Sequence, residues 1–501
     1  IEKGDKIQMN NAIKKVFTNS ILFSLGVIAS KAIGFIMLPI YTHFLTSEEY
    51  GVATTVVAFI GTFSVVFTLS LRSAIMRFYN EYKCESERQK FIGSIIGCVI
   101  INSALMGATL LIFKDLLINV FFNGIDFYPM VLMGVIALFF DSIYSIYQST
   151  IQAKQDGKKY MRNSVAYLLV VATLNSFFII VLKMDASAMV LGTLCANIAF
   201  SLYGAYNLLN DKIMKVNFNK NYIVKALKYS LPILPHDLSN TIGTYLSKII
   251  LNTNISYASS GLFTVSSQIS SIMNLVQASI NLAFRPWFNE EIQKGEGGRK
   301  NIKRFSIITF SLYSAASIII SFFSQELLYF LVPQEYHEAW KITPILLFSL
   351  VISFIYYIHV LTIMYNVKAS RFVSICSISG CVTNILLAYV LVPYIAAWGA
   401  AMANLGSQMV LVTITVMFSR KVEKVDFGLS IMIRQAIFIV VIMFIGLFPS
   451  YKFDIYGINW ANITFKLSVI LLSIVIVFWK EKKYVFNVLK EIKLKNMKRG
   501  K

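Results

Sequence analysis

Residues 343–366 read TPILLFSLVISFIYYIHVLTIMYN, 24 residues without one Asp, Glu, Lys or Arg. A helix of about 20 apolar residues, at 1.5 Å per residue, crosses the hydrocarbon core of a bilayer. A helix apolar on every side has no wet face to offer, so this stretch predicts a membrane span. Runs of the same kind lie on the N-terminal side at 17–44, 50–71, 92–113, 128–150, 164–182, 187–209, 229–252, 258–283 and 304–323. On the C-terminal side they lie at 372–392, 398–418, 431–448 and 461–479. The expected fold class is an all-α polytopic membrane protein with 14 transmembrane helices.

Composition agrees with that reading. Of 501 residues, 56% are hydrophobic and 14% charged, and the mean hydropathy is +0.66. Soluble domains carry about 25% charge. This chain has too few charges to cover the surface of several soluble domains, and its spacers are too short to fold alone. Nucleotide-binding, DNA-binding and extracellular disulfide modules are therefore excluded. Cys84, Cys98, Cys195, Cys376 and Cys381 are odd in number and show no ligand spacing, so they read as buried thiols and not as a disulfide or metal framework. Ile1 precedes a Met at position 9, so residues 1–8 read as a translation-start artefact, and no cleavable signal pattern is visible.

The net charge of +21 speaks for orientation in a membrane and not for nucleic acid. With the N-terminus placed in the cytoplasm, 39 Lys and Arg fall on that side and 4 on the other. Lys31, Lys248 and Lys466 lie within spans, which accounts for all 46. One miscounted span would scramble this asymmetry. The expectation is therefore an even number of spans with both termini cytoplasmic, in a bacterial cytoplasmic (inner) membrane.

The chain also matches itself. Glu49-Tyr50-Gly51-Val52 after span 1 resembles Ser259-Ser260-Gly261-Leu262 after span 7, an offset of 210. Lys159 and Asn175 stand 16 apart, as do Lys368 and Asn384, at an offset of 209. Ala196-Asn197 matches Ala403-Asn404 at an offset of 207. A duplicated unit of six spans places both copies in the membrane in the same sense. The expected organisation is an N-lobe over 1–215, a C-lobe over 216–425, and two further helices with a basic tail over 426–501.

Ionisable and polar side chains within spans are costly and mark function by default. Lys31 lies near the middle of span 1, too deep to reach an interface, and reads either as a cation lining a polar cavity or as a lysine paired with a carbonyl or a nearby carboxylate. Lys466, near a span end, is expected to snorkel. In span 7, Asp237, Thr241, Thr244 and Lys248 share one helical face behind Pro232 and Pro235, either as a functional stripe or as a proline-rich span start with a satisfied acid. Span 8 carries a stripe of Ser267, Ser271, Asn274, Asn281 and Arg285, too polar to face lipid. Span 4 has Asp141, Ser145, Gln148 and Gln152, and span 10 has His359, Thr362 and Asn366. Interhelical hydrogen bonding is the plainer reading of those two sets. Arg72 and Arg77 close span 2, where they serve either a site or membrane orientation.

Thr46 and Glu49 have the spacing of a capping box, a better account of that acidic pair than catalysis. Gly295, Gly297 and Gly298 read as a flexible connector. No nucleophile elbow, phosphate-cradling glycine loop or zinc helix occurs, so the chain is expected not to be an enzyme.

Several segments carry a family resemblance: Leu38-Pro39-Ile40-Tyr41-Thr42 through Glu49-Tyr50-Gly51, Tyr229-Ser230-Leu231-Pro232 through Pro235-His236, Arg285-Pro286, Lys368-Ala369-Ser370, Asn384 through Pro393, and Gly399-Ala400-Ala401. On these the chain resembles the polysaccharide repeat-unit (O-antigen or capsule) flippases of the multidrug/oligosaccharidyl-lipid/polysaccharide exporter superfamily. The resemblance implies two six-helix lobes around a central cavity lined by helices 1, 2, 7 and 8. It also implies an undecaprenyl-diphosphate-linked oligosaccharide as cargo, moved from the cytoplasmic to the outer leaflet by alternating access. Many relatives carry Asp-Arg late in helix 7, where this chain has Ser247-Lys248.

The expected substrate-binding residues are Lys31, Arg72, Arg77, Lys248, Asn274, Asn281 and Arg285. The expected ion-coupling residues are Asp237 and Asn384, for H+ or Na+, with no other cofactor and no metal. Partners would be membrane lipids and the polysaccharide polymerase and chain-length machinery. The rival readings are a drug/cation antiporter or lipid II flippase of the same superfamily, and a membrane glycosyltransferase or polymerase. The last usually needs a long outer loop, and the longest here is about 20 residues (324–343).

Overall fold

The computed structural model describes residues 18–19, 21–29, 33–366, 369, 371–453 and 457–473. Lys31, Lys368 and the tail beyond residue 473 lie outside the described residues. Those described form helices and connecting turns, with no strand among them. Ten of the helices are long and apolar enough to cross a membrane.

The first half of the chain contributes α1 (Leu38–Phe44), α2 (Ser47–Phe67), α3 (Leu71–Phe78), α4 (Glu85–Ile112), α5 (Lys114–Phe121), α6 (Leu132–Ala153), α7 (Gly157–Ser176) and α8 (Ser187–Asn210). A short amphipathic helix, α9 (Lys220–Ser230), connects the halves. The second half contributes α10 (Leu234–Asn254), α11 (Tyr257–Ile292), α12 (Glu296–Leu331), α13 (Ala339–Tyr365), α14 (Arg371–Val422) and α15 (Leu429–Lys452). A last apolar helix, α16, is described over Trp460–Ser473.

Local chemistry sets the boundaries. The Thr46 amide donates to Glu49 Oε2 at 2.8 Å and the Glu49 amide donates to Thr46 Oγ1 at 3.2 Å, so the expected capping box starts α2. At its other end Leu69 and Ser70 take left-handed φ values of 50° and 52°. That reversal detaches α3, with Arg72 and Arg77, from the spanning helix. α14 is one element only by hydrogen bonding. Ile395 and Ala396 leave helical geometry, and its two legs fold together so closely that a Cβ on Gly399 would lie 2.6 Å from the Leu391 carbonyl carbon. The expected spans 11 and 12 are those legs. The expected spans 7 and 8 are the helices α10 and α11, which are too polar to count among the ten.

Two sequence readings change. Gly298 is not part of a loose connector. It lies in α12, and a Cβ there would sit 1.8 Å from the Glu291 carbonyl oxygen, so the glycines permit a tight turn from α11 into α12. Lys466 does not snorkel. It is fully buried, and its ammonium donates to Glu326 at 2.7 Å and to Gln325 Oε1 at 3.2 Å on α12. Depth along a helix is readable from sequence, but a carboxylate on another helix is not.

Within the first half, α6 packs on α2, α3, α4, α7 and α8; within the second, α13 packs on α11, α12, α14 and α15. The halves meet where α2 crosses α11 and lies against α10. Repeated asparagines tie helices within each half. Asn197 accepts from the Tyr167 hydroxyl at 2.8 Å and donates to the Ala137 carbonyl, whereas Asn404 accepts from Ser349 at 2.9 Å. The connector belongs to the first half. α9 packs on α3 and α4, Lys225 pairs with Glu81 at 2.5 Å, and its ammonium lies 4.9 Å from the Phe78 ring centroid. Glu81 holds the Lys225 ammonium above its usual pKa range.

Candidate functional site

The bundle encloses a cavity of about 970 Å³ at one end. Its walls come from α3, from the last half of α6, from the start of α7, from Tyr229 at the end of α9 and from Arg285 on α11. The opposite end is sealed by contacts between the halves. Thr54 and Thr264 hydroxyls lie 3.3 Å apart, Asn252 donates to Thr55 at 3.1 Å, the Ser47 amide donates to Glu335 at 2.8 Å, and the Tyr336 hydroxyl donates to the Leu45 carbonyl at 2.7 Å.

Three guanidinium groups line the cavity: Arg72, Arg77 and Arg285. Arg72 is half-buried, whereas Arg77 and Arg285 are exposed. The Arg77 guanidinium lies 5.7 Å from the Phe78 ring centroid. None of the three forms an ion pair with a carboxylate among the described residues. Planar guanidinium forks suit phosphate oxygens better than any other side chain.

Hydroxyls, amides and rings share the lining with them. Tyr144 stacks on Tyr167 with centroids 5.4 Å apart and planes 15° off parallel. Gln148 is held in orientation, donating to Ser164 at 3.2 Å and accepting from Asn163 at 3.3 Å. Asp141 also opens onto the cavity and accepts from Ser64 Oγ at 2.5 Å. Gln152, Tyr160 and Tyr229 belong to the same lining. Aromatic faces and amides of this kind are suited to sugar rings and hydroxyls.

Of the sequence-derived site residues, the structure brings Arg72, Arg77 and Arg285 together. Lys31 lies outside the described residues. Lys248 is buried within α10, and Asn281 accepts from Gln277 at 3.2 Å. Lys248, Asn274 and Asn281 are not among the residues that line this cavity. Asn384 is buried, accepting from Ser247 at 2.6 Å and donating to Ser407 at 3.4 Å. Asp237, half-buried in the first turn of α10, lies six residues before Gly243, against which Asn384 packs. That is about 9 Å along the helix, so the two proposed coupling residues are not adjacent. The tyrosines were missed. Their signal was the spacing Tyr160, Ser164, Tyr167, a polar stripe matching the one on α6.

Apolar helices in this number, and a polar cavity sealed at one end, define a multi-pass membrane protein with a transporter fold. The chain belongs to the family described as polysaccharide biosynthesis protein, whose family model matches residues 16–291, just over half its length. It is 21% identical over 386 residues to a protein of the Lsg locus of Haemophilus influenzae, covering 73% of this chain and 88% of that protein. Its fold is similar to that of the lipid II flippase MurJ in an inward closed conformation, with a TM-score of 0.72 at 15% identity over 92% of this chain and 99% of that one. It is also similar to an inward-facing multidrug resistance MATE family transporter of the MOP superfamily, with a TM-score of 0.60 at 15% identity over 80% of this chain and 97% of that one.

Proposed function

We propose that this protein is a flippase for undecaprenyl-diphosphate-linked oligosaccharide repeat units, serving assembly of a surface polysaccharide such as O-antigen, capsule or exopolysaccharide. One observation carries the reading: Arg72, Arg77 and Arg285, drawn from both halves of the chain, line one cavity together with tyrosines and glutamines. The arginines neutralise the diphosphate, the tyrosines and glutamines engage the sugars, and the prenyl tail stays in the bilayer. The protein has 14 spans in two six-helix lobes plus two helices, sits in the cytoplasmic membrane and keeps both termini in the cytoplasm. The lobes rock so that the contacts of the sealed end part as the cavity's other end closes, exposing the headgroup to one side and then the other. Asp237 couples this motion to H+ or Na+. The cargo passes to polymerase and chain-length machinery, and the protein itself performs no covalent chemistry.

A drug/cation antiporter shares the fold. A site for organic cations favours acids, whereas three arginines face one aspartate here. Reconstituted vesicles decide between the two. Wild type should move a fluorescent polyprenyl-diphosphate oligosaccharide, and Arg72→Gln or Arg285→Gln should slow it by about tenfold or more, the scale of one charge-assisted contact. Transport unchanged in both variants, or export of ethidium in place of the lipid, would overturn the reading.

A further inference from the structure

A cavity built to hold an anion contains an acid, Asp141. Ser64 Oγ on α2 donates to its Oδ2 at 2.5 Å, while the residue as a whole is only half-buried and faces the cavity. The cavity it lines is shared by Arg72 and Arg77 on α3, Tyr144 on its own helix, Tyr160 and Tyr167 on α7, and Arg285 on α11. Among the described residues Asp141 forms no ion pair with any of these arginines, although all four line one cavity. It is thus not spent in a structural salt bridge.

The plain reading, a hydrogen bond joining α2 to α6, does not require a carboxyl group. Asn or Thr would accept from Ser64 at a lower cost of burial. A carboxylate adds charge. With three arginines and one carboxylate ionised, the cavity sums to +2, matching the −2 of a diphosphate diester. A carrier gains nothing from binding cargo so tightly that release becomes slow, since binding energy shared by every state does not speed the cycle.

We propose that Asp141 is a built-in competitor of the cargo diphosphate: tethered by Ser64, it shares the field of Arg72 and keeps release fast. This rests on the flippase reading above. It makes Asp141 a positioning residue whose loss improves binding and harms transport, opposite signs that loss of a merely structural contact does not produce.

The test uses the full-length protein, with inorganic pyrophosphate binding measured by calorimetry in detergent and lipid-linked oligosaccharide transport measured in vesicles. Asp141→Asn should tighten pyrophosphate binding about tenfold and slow transport by a similar factor, the scale of one charged contact. Asp141→Glu, which keeps the charge, should return both toward wild type. Ser64→Ala should weaken pyrophosphate binding severalfold, because the untethered carboxylate swings toward the arginines; this variant serves as well if Asp141→Asn folds poorly. Binding and transport weakened together in Asp141→Asn, or both unchanged, would overturn the inference while leaving the cargo intact. If wild type moves the lipid yet Arg72→Gln binds pyrophosphate as wild type does, the diphosphate site lies elsewhere and the inference falls. If wild type neither binds pyrophosphate nor moves the lipid, the flippase reading itself fails.

Discussion

Gly51 and Gly261 stand 210 residues apart in sequence and back to back in space. A Cβ on Gly51 would lie 1.9 Å from the Tyr257 carbonyl oxygen and 3.1 Å from the Gly261 amide nitrogen. A Cβ on Gly261 would lie 2.3 Å from the Ser47 carbonyl oxygen and 3.4 Å from the Gly51 amide nitrogen. Three residues further along each helix, Thr54 meets Thr264. Residues paired by the sequence offset therefore touch each other where α2 crosses α11, and the absence of side chains lets the two backbones close that end of the bundle.

If transport requires this crossing to open, a covalent bond across it stops transport. Thr54→Cys with Thr264→Cys, in a background free of the five native cysteines, should cross-link under mild oxidation and halt lipid movement, with recovery on reduction. Full transport by the cross-linked protein would mean that this end stays shut during the cycle.

Bulk at the same crossing should hold it apart. Gly51→Leu is expected to expose a cysteine placed at Thr264 to a water-soluble maleimide added from the sealed side, where wild-type packing protects it. Equal labelling rates would show that the glycine contact does not control access.

The Lys466–Glu326 pair fastens α16 to α12 in the interior, with Glu326 Oε2 left without a hydrogen bond among the described residues. Lys466→Met leaves a buried carboxylate without its partner and should cost about 3–5 kcal/mol. Lys466→Met with Glu326→Gln should recover much of that loss. Thermal unfolding in detergent reads both, and a single variant as stable as wild type would mean that the pair contributes nothing to fastening.

Orientation can be read residue by residue. Cysteines replacing Lys220 and Lys300 should react only from the cytoplasmic side, and one replacing Lys114 only from outside. External labelling at Lys220 or Lys300 would overturn the orientation drawn from the charge asymmetry.

The helical, membrane-spanning class was legible in the order of residues alone. Membrane insertion depends on local apolar length and on charge in short loops, both one-dimensional properties, so the apolar runs could be read directly. The glycine match at 210 was visible as a pattern, and Arg72, Arg77 and Arg285 were each visible as cations at span ends. Which polar residues share a space depended on how the helices pack in three dimensions. Asp141 and Gln148 carried the same signature as any interhelical hydrogen-bonding pair, Tyr144 and Tyr167 looked like core aromatics, and Lys466 looked like a residue reaching for the interface. Each acquired its role from a partner far away in sequence, and helical spacing reports which face of a helix a side chain occupies but not what that face meets.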